Sequence, residues 1–244
     1  MSIAPATDIP VLAAATARLL ATVDGMREEQ LAEPSLLPGW TRGHVLAHLA
    51  RNADGLLNLL TGARTGVPTP MYASPEAREH DIEAGAKRSL AEHAADLRAS
   101  AARFDAAVAA MPEAAWAVEV PHRLGAFPAA GVPARRIQEV EYHHVDLGLP
   151  DAYAPDDWPE AFVREQLTRV SAQFAGHPDL PHLVLVDSAT GGAHASGAER
   201  GSAARELTVR GTGPALLAWL TGRSDGHDLD VDPKTVLPPL PPLG

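Results

Sequence analysis

The chain has 244 residues, and 20 Lys and Arg against 31 Asp and Glu give a formal net charge of -11. At about 150 residues per domain this is one large domain or two small ones, long enough to bury a core without staples. The acidic balance argues against a nucleic-acid or anionic-membrane partner, and no apolar run approaches the roughly 20 residues that span a bilayer. Hydrophobic residues at 45% and charged residues at 21% are ordinary for a folded globular protein. There is no cysteine. This excludes disulfides, thiolate ligands and a cysteine nucleophile, so any sulfur the chemistry needs must arrive on a small molecule. The opening MSIAPATDIP has no basic n-region and no signal-peptide core, and a cytoplasmic location is the expectation.

The N-terminal half reads as helices. Residues 9–25 place Val11, Leu12, Ala15, Leu19, Leu20 and Val23 at helical spacing, with Asp8 as a cap and Pro10 in the first turn. A second helix opens at Thr41 as N-cap and runs through TRGHVLAHLARNADGLLNLLTG. Val45, His48, Leu49, Leu56 and Leu60 share its broad inner face. The stretch 62–75 is a loop rich in Gly, Thr and Pro, and one long Ala-rich amphipathic helix is expected over about 76–110. Residues 113–132 read as irregular strand or hairpin, and a fourth helix covers about 133–148. Four such helices suggest an antiparallel bundle.

Composition changes at DAYAPDDWP, 151–159, which is turn-rich and acidic. The expected division is therefore 1–150 and 151–244. The second part reads as a helix over about 159–175, strands at 182–188 and 204–211 joined by a Gly-rich connection, and a short helix in GPALLAWLTGR with Gly222 near its end. The tail LPPLPPLG continues neither a helix nor a central strand. The fold class is α+β: a four-helix bundle followed by a small α/β domain.

Eleven histidines is a high count, so position has to sort them. His44 and His48 lie four apart on the second helix. Glu139 and His143 lie four apart on the fourth. Residues at i and i+4 share a helical face, so Glu139 and His143 can offer one oxygen and one nitrogen to a single ion. His48 is the better third ligand, being in phase with Leu49, Leu56 and Leu60. Three protein ligands leave an open position, as in catalytic zinc sites, although imidazole and carboxylate also suit iron, manganese or nickel. Against this stands the commonplace solvated Glu–His pair. In favour of an ion, two imidazoles and a carboxylate unpaired in an apolar core cost several kcal/mol. Asp146 can orient His143 or His144 as an acceptor, cap the last turn, or pair with an arginine. His177, His182, His194 and His227 fall in turn-rich or strand-edge contexts where exposure is expected. Arg223, in LTGRSDG, is either a surface arginine beside helix carbonyls or a planar fork able to grip a carboxylate.

The blocks SLLPGWTRGHVLAHLARNADGLLNLL, RTGVPTPMYASPEARE, QEVEYHHVDLG and LLAWLTGRSDG, in that order, resemble the mycothiol-dependent maleylpyruvate isomerases, which belong to the DinB-like metal-binding four-helix proteins. The resemblance implies a DinB-like N-terminal bundle and a small α/β C-terminal domain. It puts the family's zinc ligands on His48, Glu139 and His143 and its catalytic arginine on Arg223. Two positions depart from the family pattern. Gln138 stands where an arginine is expected before the ligand glutamate, and His144 stands where a small or apolar residue is common. Both bear on the surroundings of the ligands and on substrate identity.

The implied cofactors are Zn2+, or another divalent metal, and mycothiol. The implied partners are that small-molecule thiol and a small carboxylate, maleylpyruvate from gentisate ring cleavage in aromatic catabolism. The implied chemistry is thiolate addition to the cis double bond, rotation and elimination to fumarylpyruvate. The same activated sulfur would serve a mycothiol S-transferase. A zinc-bound water would make a hydrolase, and the scaffold without chemistry would be a metal- or thiol-binding protein.

Overall fold

A computed structural model describes residues 5–121, 125–201 and 205–242. His122–Leu124 of the expected hairpin, Ala204 of the expected second strand and the last two tail residues, 243–244, lie outside them. The chain forms two compact units, Met1–Tyr153 and Ala154–Gly244.

In the first unit α1 spans Asp8–Asp24, α2 Arg42–Thr65, α3 Pro75–Gly85, α4 Leu90–Ala109 and α5 Val132–Asp146. The four long helices α1, α2, α4 and α5 make the bundle; α2 packs on α4 and α5, and α1 packs on α5 and α4. On α1 the buried stripe is Leu12, Ala15, Leu19 and Val23, while Val11 is exposed and Leu20 sits at the edge. Its cap position is Thr7; Asp8 lies in the first turn, where a carboxylate suits the helix dipole. The α2 helix is buried almost all round, as befits the centre of a bundle, and Val45, His48, Leu49, Leu56 and Leu60 are all inside. A two-stranded antiparallel ladder, β1 (Glu119–Val120) and β2 (Phe127–Pro128), precedes α5.

The single helix expected over 76–110 is two helices. Ser89 caps α4, its hydroxyl accepting from the Glu92 backbone N–H while the Glu92 carboxylate accepts from the Ser89 backbone N–H. That reciprocal capping box starts a helix rather than continuing one. The Ala-rich period runs through the break and hides it. The break also lets α3 approach α2 closely. A Cβ on Gly43 would lie 2.5 Å from the Ala86 carbonyl oxygen, and one on Gly85 would lie 2.8 Å from the Ala47 Cβ.

In the second unit α6 (Glu160–Gln173) and α7 (Gly213–Leu220) pack together and against a mixed sheet. The sheet order is β4-β3-β5-β6, from β3 (His182–Asp187), β4 (Ala193–Gly197), β5 (Glu206–Gly211) and β6 (Asp230–Asp232). The β3 and β5 strands run parallel, and the two edge strands pair antiparallel. Leu183, Leu185, Leu207 and Val209 are buried, with Leu183 opposite Leu207 and Leu185 opposite Val209. The Gly-rich connection contains β4, whose small residues (AHASG) carry no strong strand signal. At the end of α7, Gly222 adopts φ 73, its N–H bonds the Trp219 carbonyl, and the Arg223 N–H bonds the Ala218 carbonyl. This is the double-bonded left-handed helix stop that glycine favours.

Gly43→Ala is expected to destabilise the fold by about 1–3 kcal/mol, because the backbone of residue 86 must move to admit a methyl group. Urea denaturation compared with the parent checks this, and an unchanged midpoint would show that the α2–α3 contact is loose.

Candidate metal centre

The α5 helix carries chemistry on two faces. Toward α2 it presents Arg136, Glu139, His143 and Asp146, spaced by three or four residues. Toward α1 it presents Glu141 and His144. The α2 helix answers the first face with His48 and, one turn on, Asn52. His48 Nε2 lies 3.0 Å from Glu139 Oε2 and 3.1 Å from His143 Nε2, and His143 Nε2 lies 3.4 Å from Glu139 Oε2. Among the described residues this trio is the group of three or more His, Cys, Asp or Glu able to hold a metal ion.

The spacing fits zinc chemistry. Ligand atoms about 2.0–2.1 Å from a tetrahedral ion lie about 3.3 Å from one another. A triangle with the observed sides admits a point about 2 Å from every corner. His143 is also oriented at its other nitrogen, since Nδ1 is 2.8 Å from Asp146 Oδ2 and the Asp146 side chain is buried. A carboxylate acceptor there directs the Nε2 lone pair at an ion and raises the basicity of the ring.

Electrostatics sort the protons. Burial pushes the Glu139 carboxyl up, but hydrogen bonds from His143 and His48 outweigh it and hold the group well below its usual range. Burial pushes His48 down to about 4 against the pull of Glu139. For His143 burial is outweighed by Asp146 and Glu139, so its value is raised. The directions make His143 the more basic of the two imidazoles.

His48 Nδ1 meets Arg78 Nη2 at 3.3 Å, and the Trp40 ring packs 5.5 Å from the imidazole. A histidine that ligates through Nε2 carries its proton on Nδ1 and needs an acceptor there. An arginine N–H is a donor, so filling the centre requires Arg78 to turn away. Arg78 and Tyr72 also line a cavity of about 220 Å³ beside α2.

The other singled-out residues have separate fates. His44 is the capping partner of Thr41, its Nδ1 accepting from the Thr41 backbone N–H at 3.1 Å, and it lies outside the trio. His144 is buried on the α1 side, where Nε2 lies 2.7 Å from Thr22 Oγ1 and the ring stacks on Tyr153 at 3.7 Å. Burial, with Arg18 nearby, pushes it down to about 3. Glu141 takes Arg18 at 2.5 Å and accepts from the Tyr153 hydroxyl. His182 corrects the expectation of exposure: it is buried, with Nδ1 2.7 Å from the Ala198 carbonyl oxygen, because it starts an inner strand. His177 and His194 are partly exposed, and His227 is exposed between Asp225 and Asp228. Arg223, in the second unit, is half-buried and donates from Nη1 to the Thr221 carbonyl at 3.2 Å. Sequence reading passed over Arg136, Asn52, Tyr72 and Arg78. Arg136 and Asn52 were within reach, lying in phase with Glu139 and His48.

A part-buried helical trio able to hold a metal ion, in a four-helix bundle followed by a small mixed-sheet unit, marks the class of bundle protein to which the chain is compared. The sequence matches the mycothiol maleylpyruvate isomerase N-terminal domain over residues 12–148 and the MDMPI C-terminal domain over residues 157–242. The chain belongs to the mycothiol maleylpyruvate isomerase family. Its fold is that of the crystal structure of the mycothiol-dependent maleylpyruvate isomerase, with TM-score 0.85 and 30% identity over 98% of this chain and 96% of that one. A histidine-to-alanine mutant of a mycothiol-dependent maleylpyruvate isomerase superposes with TM-score 0.87 and 29% identity, again over 98% and 96%. Among curated proteins none matches the chain. Among the described residues no helix is long and apolar enough to cross a membrane.

Asp146→Asn is expected to weaken zinc binding about 10- to 100-fold with the helical content retained. A chelator-competition titration alongside circular dichroism measures both, and parental affinity in a folded variant would remove Asp146 from this role.

Proposed function

We propose that this chain is a zinc- and mycothiol-dependent isomerase that converts maleylpyruvate to fumarylpyruvate. The observation that carries the reading is the convergence of His48 Nε2, Glu139 Oε2 and His143 Nε2 at separations suited to one tetrahedral ion. Family membership supports the choice of thiol and substrate. Bound together, the ion and the thiol supply a thiolate at neutral pH, where a free thiol of pKa about 8.5 is only about 3% ionised, and its reversible addition turns the double bond into a rotatable single bond.

The chain's own residues do the rest. His48, Glu139 and His143 hold the ion and leave a corner open to an outside ligand. Asp146 fixes the His143 ring and its tautomer. The chain lacks cysteine, so it contributes no thiolate of its own to compete at the ion. Arg223, the position on which the family's catalytic arginine falls, binds a substrate carboxylate and offsets the negative charge that develops on addition. Its backbone is held by the Gly222 turn.

The test is an assay of the zinc-loaded protein with maleylpyruvate, with and without mycothiol, and identification of the product. Fumarylpyruvate formed only with mycothiol, and mycothiol recovered unchanged, is the expected result. A stable thioether would make the protein a transferase, and turnover without thiol would make it a hydrolase. Binding without turnover would leave a non-enzymatic scaffold. His48→Ala is expected to lose zinc. Arg223→Ala is expected to keep zinc and lose about 100-fold or more in turnover. Unchanged turnover in that variant would remove Arg223 from the site.

A further inference from the structure

Arg136 is the unusual charge of this molecule. It is 3% exposed, yet its one hydrogen bond runs from Nη1 to the neutral Asn52 Oδ1 at 2.9 Å, and no carboxylate lies within ion-pair distance among the described residues. Buried charges are ordinarily paired. The buried Arg42 and the partly exposed Arg18 both obey that rule. Arg42 donates to the Leu147, Gly148 and Gln30 carbonyls and pairs with Glu33, and Arg18 pairs with Glu141. Arg136 has five N–H donors and fills one of them.

Arg136 keeps a small exposed area at 3%, and its unbonded nitrogens are not among the polar atoms closed off without a partner, such as Arg18 Nε and His144 Nδ1. The nearby acidic groups are committed elsewhere. Glu139 turns to the two histidines and Asp54 to Arg51 and Arg103, while Asp105 is exposed. Once Glu139 ligates a cation, Arg136 loses even that electrostatic neighbour, and the surroundings carry an excess of positive charge.

The position is specific. Arg136 precedes Glu139 by three residues on α5, and Asn52 follows His48 by four on α2. The Arg136–Asn52 pair is therefore the next rung of the same helix–helix seam, about one 5.4 Å turn from the trio. Tyr72, which lines the cavity beside α2, is close enough to feel both Arg136 and Glu139.

We propose that Arg136, held by Asn52, is a carboxylate anchor beside the metal trio and takes one end of a small dicarboxylate substrate in a bidentate grip. The substrate class rests on the function proposed above; the anchor itself rests on the unpaired buried guanidinium.

The probe is maleate, a stable cis dicarboxylate, titrated calorimetrically into the full-length zinc-loaded protein, with zinc content measured in parallel. Saturable binding by the parent is expected. Arg136→Met should weaken it about tenfold or more, and Arg136→Lys should recover part of the loss. Asn52→Asp is the sharper variant. It places a carboxylate on Arg136 from within, so it should raise the melting temperature while weakening maleate binding about tenfold or more. A purely structural Arg136 would give the first effect without the second. Failure of the parent to bind maleate overturns the proposal, as does parental affinity in the folded Arg136 and Asn52 variants. If Arg136→Met does not fold, Asn52→Asp decides. A protein that takes up no zinc at the trio but binds maleate through Arg136 would sink the metal reading and keep the anchor. Zinc- and mycothiol-dependent turnover with Arg136-independent maleate binding would do the reverse.

Discussion

The seam between α2 and α5 is the constraint on which the rest depends. Two imidazoles and two carboxylates meet there, with Arg136 and Asn52 one turn away, so the helices must hold one register or leave polar groups stranded. The register is pinned at the end of α5. Arg42, at the start of α2, donates from Nε to the Leu147 carbonyl at 2.7 Å and from Nη2 to the Gly148 carbonyl at 3.1 Å, and the Leu36 N–H bonds the Asp146 carbonyl at 2.9 Å. A guanidinium against the carbonyl end of a helix also answers its dipole. A slip of one residue along α5 would turn Glu139 and His143 off the face that His48 meets.

That helix is also tied to the bundle from behind. On the α1 side, Glu141 takes Arg18 and the Tyr153 hydroxyl, while His144 lies against Thr22 and Tyr153. His144, one of the two departures from the family pattern, is thus a buried packing residue on the face away from the trio. It acts on the metal centre only through the placing of α5. The same contacts explain why the first compact unit runs to Tyr153, since the tyrosine ring and hydroxyl are built into the bundle.

What could be read in the sequence was phase. His48 keeps step with Leu49, Leu56 and Leu60, and Glu139 and His143 lie a four-residue step apart; helical geometry converts both into direction. Phase was blind where a repeating pattern crosses a boundary. The alanine-rich stretch keeps its period through residues 86–89, and the signal that ends it is local hydrogen-bond chemistry, Ser89 with Glu92, that hydrophobic spacing does not report. Edge strands were equally hidden. AHASG owes its strand form to its hairpin partner β3 and DVD to β5 on the far side of α7, not to their own side chains. His182 was misjudged for the same reason: its burial follows from the place of its strand in the sheet. An arginine three residues from a glutamate on a helix resembles a surface pair, and only three dimensions reveal that no carboxylate among the described residues answers Arg136.

The charge balance bears on how such a protein would select its ligand. A chain with net charge -11 repels a small dianion at long range. At physiological ionic strength that repulsion is screened beyond about 8 Å, so it slows approach modestly and contributes little at contact. Selection then falls to positive groups that water and salt do not screen. Buried guanidinium groups and a cation held by only one carboxylate are such groups, and their fields strengthen as water is excluded. The anchor proposed at Arg136 is of that kind: it would act at contact range rather than by steering, which would tie specificity to the geometry of the α2–α5 seam.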